Sequence, residues 1–367
     1  MTSAPGRTTT GIPTARNVDH HAFTVPDLDQ AIDFFVDVLG AEELYRIGPV
    51  RDDGDWMARQ LGVHPRASAH IALLRLAETN IELFRYTAPG QRTELPRNSD
   101  VGGHHLAIGV RDIDEAAAHL RTVPGVTVLG DVQHITEGPI SGNRWIYFTA
   151  PWGLQMELQQ VSDALPYEKE TAERLYRPEG RWLTTRRGIP GTLGVDHVCY
   201  TVPDLDQAID FFTGPLGGRL LYRVELAAPA DYCARQLAVH QDIEVDAAML
   251  RLGPVTNVEL FRYTVPDQRT RLPLNSDVGG HHLAFFVDDI DEAAAHLRTV
   301  PGVELLGEPQ LIDDGGPIHG DRWMYFRAPW GLQMEILHMP DGMPYERHTT
   351  ARRFGPSPAW HEGGAAA

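Results

Sequence analysis

The sequence predicts an α+β fold built from repeated β-α-β-β-β modules, and two observations support this prediction. First, the chain of 367 residues is duplicated: TVPDLDQAIDFF stands at 24–35 and again at 201–212, and NSDVGGHHLA stands at 98–107 and 275–284. Second, each copy contains two segments in which one strand pattern precedes a capped helix and further short apolar strands. A sequence repeat of this kind indicates a repeated structural unit.

The helices are marked by their first residues. Asp27 and Asp112 each stand three residues before a glutamine or glutamate, which is the spacing of an N-cap and its N3 partner. Leu28, Ile32 and Phe35 then fall on one helical stripe, so this helix should pack on a sheet. The segments HIALLRL, NIELFRY, RWIYFTA and LQMELQQ are short and rich in apolar residues, as strands are.

The repeats divide the chain into two predicted domains. We expect a disordered tail at 1–17, a first domain at 18–164, a linker at 165–193, a second domain at 194–342 and a C-terminal tail at 343–367. Each domain is long enough to bury a core of its own.

Composition restricts the class of protein. A net charge of −18 argues against nucleic acid and anionic membranes as partners. Two cysteines exclude a disulfide framework and predict a cytoplasmic location, and no apolar run approaches the length that spans a membrane.

Strand alternation distinguishes the two neighbouring histidines of GGHHLAIGV. Successive side chains of a strand point to opposite faces, so His104 shares a face with Leu106 and Ile108, whereas His105 shares the other face with small residues. We therefore expect His105 to face a cavity and His104 to pack in the core. The repeat supports a similar choice at His20, which recurs as His197, while its neighbour His21 is replaced by valine.

Two histidines and two glutamates on four strands of each copy form candidate metal ligands. They are His20, Glu82, His105 and Glu157 in the first copy and His197, Glu259, His282 and Glu335 in the second. A single histidine or glutamate on a strand is more often structural than a ligand, but two matching sets favour a metal. Imidazole and carboxylate suit Zn, Ni, Co, Mn or Fe, so up to two divalent transition metals per chain are expected. Whether His20 and Glu82 face His105 and Glu157, or instead His282 and Glu335, is left open by the sequence.

At these positions the sequence resembles the vicinal oxygen chelate superfamily, which includes glyoxalase I, methylmalonyl-CoA epimerase, extradiol dioxygenases and bleomycin-resistance proteins. The motifs DHHAFTVPDLDQAIDFF, LGAEELY, IELF, GGHHLAIGVRDID and PWGLQMEL carry the resemblance. It implies tandem domains whose paired βαβββ modules form metal-binding cups, with the metal positions on the eight residues above. The layout is also similar to that of epimerases that act on seven-carbon cyclitols.

The resemblance implies several reactions. An epimerase or isomerase would remove a proton beside the carbonyl of a hydroxyketone and form an enediolate, with Glu157 and Glu335 as the catalytic bases. Glu82 and Glu259 would then be either a second acid or base, or metal ligands only. The alternatives are an extradiol-type dioxygenase, a glyoxalase-type lyase and a drug-sequestering protein. A fourth ligand disfavours the dioxygenase, because iron oxygenases usually use two histidines and one carboxylate.

Loop residues that recur in both copies are candidate contacts for the substrate. They are Arg59, Asn98 and Arg144 in the first copy and Arg235, Asn275 and Arg322 in the second. An equally weighted alternative is that the arginines bridge the two halves of the chain. The expected partner is a small hydroxyketone or cyclitol, and a homodimer of the chain is a further expectation.

Overall fold

The structure is a computed structural model that describes residues 11–181, 183, 187–226, 232–240 and 243–361. Within these residues the chain forms four modules of the predicted type. No helix in this part of the chain has the length and apolar character needed to cross a membrane.

The first two modules come from the first repeat. Module 1 consists of β1 (Ala15–Thr24), α1 (Leu28–Asp33), β2 (Glu42–Val50), α2 (Trp56–Leu61), β3 (Ser68–Leu76) and β4 (Thr79–Thr87). Module 2 consists of β5 (His104–Val110), α3 (Ile113–Leu120), β6 (Thr127–Val128), β7 (Gln133–His134), β8 (Arg144–Thr149) and β9 (Gln155–Gln160).

The other two modules come from the second repeat. Module 3 consists of β10 (Thr192–Thr201), α4 (Leu205–Thr213), β11 (Arg219–Leu226), β12 (Glu244–Leu252) and β13 (Thr256–Thr264). Module 4 consists of β14 (His281–Val287), α5 (Ile290–Leu297), β15 (Glu304–Leu311), β16 (Arg322–Arg327) and β17 (Gln333–His338). Short π-helical turns lie at Phe34–Val38 and Cys233–Leu237, and 3-10 turns at Pro166–Lys169 and Pro344–Arg347.

The helices begin where the sequence predicts. The Asp27 carboxylate accepts a hydrogen bond from the backbone amide of Gln30. The Asp112 carboxylate accepts hydrogen bonds from the backbone amides of Asp114 and Glu115. Ile32 and Phe35 are buried against the sheet, which confirms the predicted stripe. Asp204 and Asp289 cap the matching helices of the second repeat.

Each sheet joins modules from different repeats. The first sheet has the strand order β15-β16-β17-β14-β1-β4-β3-β2, so it combines module 4 with module 1. The second has the order β11-β12-β13-β10-β5-β9-β8-β6 and combines module 3 with module 2. In both sheets the seam is antiparallel, with Ala22 opposite His282 and Cys199 opposite His105. Residues 18–164 and 194–342 are therefore repeats of the sequence, and each cup takes one module from each of them.

The segment expected to be a C-terminal tail is packed as far as residue 361. The backbone of Phe354 forms two hydrogen bonds with the buried Asn80 amide, at 2.8 and 3.0 Å. The amide of Ser357 donates to Asn17 at 2.8 Å, and the Trp360 indole donates to the carbonyl of Gly217 at 2.9 Å. Buried amide side chains need partners, and this segment supplies them. Residues 362–367 lie outside the described residues.

The predicted N-terminal tail and the predicted linker also contain residues that are packed in the fold. Residues 15–17 already belong to β1, and only 1–10 of the expected tail lie outside the described residues. In the linker, Leu165, Tyr167 and Leu175 are buried against the second sheet, whereas 182 and 184–186 lie outside the described residues.

Candidate metal centres

The eight candidate ligands come together as two groups of four, one in each cup. The first centre contains His20, Glu82, His282 and Glu335, and the second contains His105, Glu157, His197 and Glu259. Within each group, one ligand atom of every residue lies within 4.8 Å of the other three. Of the two closures that the sequence allows, the structure has the one in which each centre uses both repeats.

In the first centre, two imidazole nitrogens face each other across the seam between β1 and β14. Nε2 of His20 lies 3.2 Å from Nε2 of His282 and 3.2 Å from Oε2 of Glu82. Oε2 of Glu335 lies 3.4 Å from Nε2 of His20 and 3.2 Å from that of His282.

The second centre repeats this arrangement. Nε2 of His105 lies 3.3 Å from Nε2 of His197 and 3.1 Å from Oε2 of Glu157. Oε2 of Glu259 lies 3.4 Å from the His197 nitrogen and 3.6 Å from the His105 nitrogen.

The outer nitrogen of each histidine is held by an oxygen. Nδ1 of His20 lies 3.1 Å from Asp19 Oδ1, and Nδ1 of His197 lies 2.8 Å from Asp196 Oδ1. An acceptor at Nδ1 places the proton there and leaves the lone pair of Nε2 directed at the centre. Sequence reasoning missed these two aspartates, although VDH recurs in both copies.

Asn98 and Asn275 have this same role on the other histidines, rather than lying at the rim of a cup. Oδ1 of Asn98 lies 3.1 Å from Nδ1 of His105, and Oδ1 of Asn275 lies 3.2 Å from Nδ1 of His282. Asn98 is only 2% exposed. Each asparagine therefore orients a histidine of a metal centre, which differs from the expected position at the rim of a cup.

The glycines before each histidine pair allow this contact. A Cβ atom at Gly103 would lie 2.2 Å from the carbonyl oxygen of Arg97, and one at Gly280 would lie 2.3 Å from that of Leu274. Gly102 adopts φ +83°, a left-handed conformation that glycine enters without strain. Only glycine lets the NSD loop fold back closely enough for Asn98 to reach His105.

The neighbouring histidines lie in the core, as the alternation predicts. His104 stacks on Phe23 with ring centroids 5.6 Å apart and contacts His281 at 4.2 Å. Burial lowers the pKa of His104 well below its usual value and that of His281 to about 4. Neither ring belongs to a metal centre.

The electrostatics of both centres favour a positive charge in the middle. Burial alone would lower the pKa of His20, but Glu82, Asp19 and Glu335 raise it well above its usual value, and His197 behaves in the same way. Burial would raise the pKa of Glu82 and Glu157, but the two histidines beside each carboxylate lower it to about 2.

The donor set fits a divalent transition metal. Two neutral imidazoles and two carboxylates balance the charge of a divalent cation. Oε2 of Glu157 and Oε2 of Glu335 are buried and have no aligned hydrogen-bond donor among the described residues. A cation between the four groups would satisfy these oxygens and the facing nitrogens together.

A cavity of about 730 Å³ opens above the first centre. Glu82 and Glu335 lie at its base, and aromatic side chains, including Trp323 and Tyr325, line its wall. Tyr86 also lines the cavity, and its hydroxyl accepts a hydrogen bond from Asn275 at 3.4 Å.

The four arginines proposed as substrate contacts lie outside the centres. Arg59 is exposed and pairs with Asp55 at 3.1 Å, and Arg235 is also exposed. Arg144 and Arg322 bind Asp114 of α3 and Asp291 of α5, on the helix side of each sheet. Arg144 and Arg322 each form an ion pair within their own module. These pairs therefore differ from the alternative expectation that the arginines bridge the two halves of the chain.

The two centres differ in the side chains around them. Arg353 forms a buried ion pair with Asp19 beside the first centre, whereas its counterpart in the other repeat, packed against the second sheet, is Leu175. Gln159 donates to Oε1 of Glu157 at 2.7 Å, and the matching position of the first centre is Leu337.

A family model with the description Glyoxalase/Bleomycin resistance protein/Dioxygenase superfamily matches residues 19–148 and 196–315. The chain belongs to this superfamily. Its two matched segments begin at β1 and β10, so they follow the sequence repeats.

Relatives of this superfamily member differ in how much of it they cover. A 2-epi-5-epi-valiolone epimerase from Actinomyces sp is 58% identical over 178 residues, which are 48% of this chain and 97% of that protein. Glyoxalase I from Zea mays is 17% identical with a TM-score of 0.53, covering 88% of this chain and 92% of its own. A putative dioxygenase from Bacillus subtilis is 15% identical with a TM-score of 0.54, over 90% and 87% of the two chains. These two structures support the fold alone.

Proposed function

We propose that the protein is a metal-dependent epimerase that inverts the carbon beside the carbonyl of a hydroxyketone. The relative that is 58% identical over one repeat is named 2-epi-5-epi-valiolone epimerase, so a seven-carbon cyclitol ketone is the proposed substrate. The observation that carries the proposal is the presence, in each cup, of two histidines and two glutamates whose ligand atoms converge.

The eight converging residues are the proposed metal ligands. When bound, a divalent metal acts as a Lewis acid that makes the carbon-bound proton beside a coordinated carbonyl more acidic. Asp19, Asn275, Asp196 and Asn98 hold the histidines in the tautomer and orientation that this requires.

Glu335 and Glu157 are the proposed bases. Glu335 lines the cavity beside the first centre, so its carboxylate can reach a carbon-bound proton of a substrate there. A low pKa, as at Glu157, keeps the carboxylate ionised at neutral pH, which a base requires.

Glu82 is the proposed group that returns a proton to the opposite face of the carbon. Its strand, β4, and the strand of Glu335, β17, lie on opposite sides of the β1–β14 seam. Both carboxylates reach the same cavity, so a substrate between them would have one on each face. Glu259 occupies the matching place in the second centre.

Exchange with solvent tests the proposal. Protein loaded separately with Zn, Ni, Co, Mn or Fe is incubated in deuterated water with 2-epi-5-epi-valiolone, and deuterium beside the carbonyl is followed by NMR. We expect exchange together with appearance of the epimer. A protein that exchanges no proton with any of these metals, or that consumes oxygen with a catechol instead, would contradict the proposal.

A further inference from the structure

Asp321 is a buried carboxylic acid beside the first centre that none of the roles above uses. It is 4% exposed, it lines the cavity that contains Glu82 and Glu335, and its Oδ1 atom has no hydrogen-bond partner among the described residues. An unpartnered buried oxygen is costly, and such groups are retained where a ligand satisfies them.

The position that matches Asp321 beside the second centre has a different hydrogen-bond environment. There the residue is Asn143, and its Oδ1 accepts a hydrogen bond from the backbone amide of Ser162 at 2.9 Å. The residue that matches Ser162 in the other cup is Pro340, which has no N–H to donate. The pair Asn143 and Ser162 is thus a structural contact, and the pair Asp321 and Pro340 leaves the oxygen available to the cavity.

The charges of the cavity define the class of ligand. Carboxylates outnumber cations on its wall: Asp52, Asp313 and Asp314 join the two glutamates of the centre, against Arg51 as the one cation among the described lining residues. Burial and then Glu335 raise the pKa of the Asp321 carboxyl well above its usual value. A divalent metal offsets only the two glutamates, so the remaining field disfavours phosphate esters and other anions. A carboxyl group in either protonation state can hydrogen-bond a hydroxyl group, so an uncharged polyhydroxylated ligand fits.

We infer that Asp321 binds a hydroxyl group of an uncharged polyhydroxylated ketone, which makes the first centre selective in a way that the second is not. This inference rests on the proposed function for the position of the ketone over the metal centre. It adds a specificity-determining residue that binds away from the reacting carbon.

The test uses Asp321→Asn alone and together with Pro340→Ser. The double variant recreates the asparagine–serine pair of the second centre, so its fold already exists once in this chain. Asn143→Asp is the matched control, since an aspartate oxygen can still accept from the Ser162 amide. The substrates are 2-epi-5-epi-valiolone and a series of its analogues that each lack one hydroxyl group.

In a Glu157→Gln background, which silences the second centre, we expect both Asp321 variants to keep their metal. The double variant, in which the serine amide takes the asparagine oxygen, should lose about 10- to 100-fold in kcat/KM, mainly through KM, since a buried polar group left without its partner costs about this much. The single variant should lose less, because its amide can still bond a hydroxyl group. One deoxy analogue should be equally poor for the parent and the variants, because it lacks the hydroxyl that Asp321 binds. With the first centre silenced by Glu335→Gln, Asn143→Asp should match that background within about twofold.

Three results would overturn the inference: kinetics of the Asp321 variants equal to the parent, loss of metal, or the same loss of activity with every analogue. If the parent itself shows no turnover, the proposed function fails, and calorimetric binding of the same ketones to the metal-loaded proteins decides the role of Asp321. Equal affinity of the parent and the double variant for all of them would then reject it.

Discussion

At the scale of single residues, the choice between adjacent histidines gives a direct prediction. His105→Ala or His282→Ala should lower the metal content from two ions per chain to one, because each removes an imidazole that converges on a centre. His104→Ala and His281→Ala should keep both ions, since these rings pack against Phe23 and Tyr200 in the core. Elemental analysis of the four variants after metal loading checks this, and a His104 variant that lost metal would be inconsistent with the register of β5.

The proposed base gives a second prediction. Glutamine at position 335 keeps the size of the side chain and an oxygen that can bind metal, but it has no useful basicity. Glu335→Gln should retain metal while exchange at the first centre falls by about 10²–10⁴. The activity of the second centre is removed with Glu157→Gln, so the two changes are measured singly and together. Unchanged exchange in the double variant would exclude both glutamates as bases.

His21 gives a prediction about pH. Burial, and then the charge of His20, lower its pKa from 6.5 to about 3, and the repeat places Val198 at the matching position. Between pH 6.5 and about pH 3, His21 is protonated in the unfolded chain but neutral in the folded chain. The free energy of unfolding therefore falls as the pH falls through this window, by roughly 1.4 kcal/mol per pH unit.

His21→Val should remove this dependence. Relative to the parent, the metal-free variant should gain about 2 kcal/mol on going from pH 7 to pH 5 in urea unfolding. Val198→His is the reverse control and should introduce the same loss on acidification. Parallel pH profiles for parent and His21→Val would show that His21 is protonated in the folded state.

At the scale of elements, periodicity predicts the strands, the caps and the cavity-facing histidines, because these depend on neighbours in the chain. The contacts of Asn98 could not be predicted this way, because they depend on a turn at Gly102 and Gly103 that folds the NSD loop back. The packed C-terminal segment was missed through composition, since proline and glycine suggested a tail. A signal was present: PYEK at 166–169 recurs as PYER at 344–347, inside the predicted linker and tail.

That C-terminal segment gives the prediction at this scale. A chain that ends after Asp341 loses the partners of Asn17 and Asn80, both of them buried, and the ion pair of Asp19 with Arg353. Each lost hydrogen bond contributes about 1 kcal/mol, so the free energy of unfolding should fall by several kcal/mol. A chain that ends after His361 is the control and should match the parent. Equal urea midpoints for the two truncations would mean that the segment does not stabilise the fold.

At the scale of the whole molecule, the closure of the cups was not predictable from sequence. The strands at the two seams, HHLAIGV and HHLAFFV, are nearly identical, so either could pair with β1 by its side chains alone. Pairing within one chain completes both centres without a second copy, and the expected homodimer stays a prediction for sedimentation analysis.

Double variants test which residues share a centre. His20→Ala with His282→Ala removes two ligands from one centre, so one metal ion per chain should remain. His20→Ala with His105→Ala removes a ligand from each centre, so the metal content should fall towards zero. The opposite pattern would mean that each cup closes inside one repeat.

The cross-repeat seam also bears on how the two centres can change with time. In a symmetric dimer of a one-repeat protein, every substitution enters both centres at once, because one gene encodes both halves. Here each half is encoded separately, so a mutation in codon 321 leaves codon 143 untouched. Fusion of the halves thus permits one centre to acquire a new preference while the other keeps its own contact, within a single inherited polypeptide.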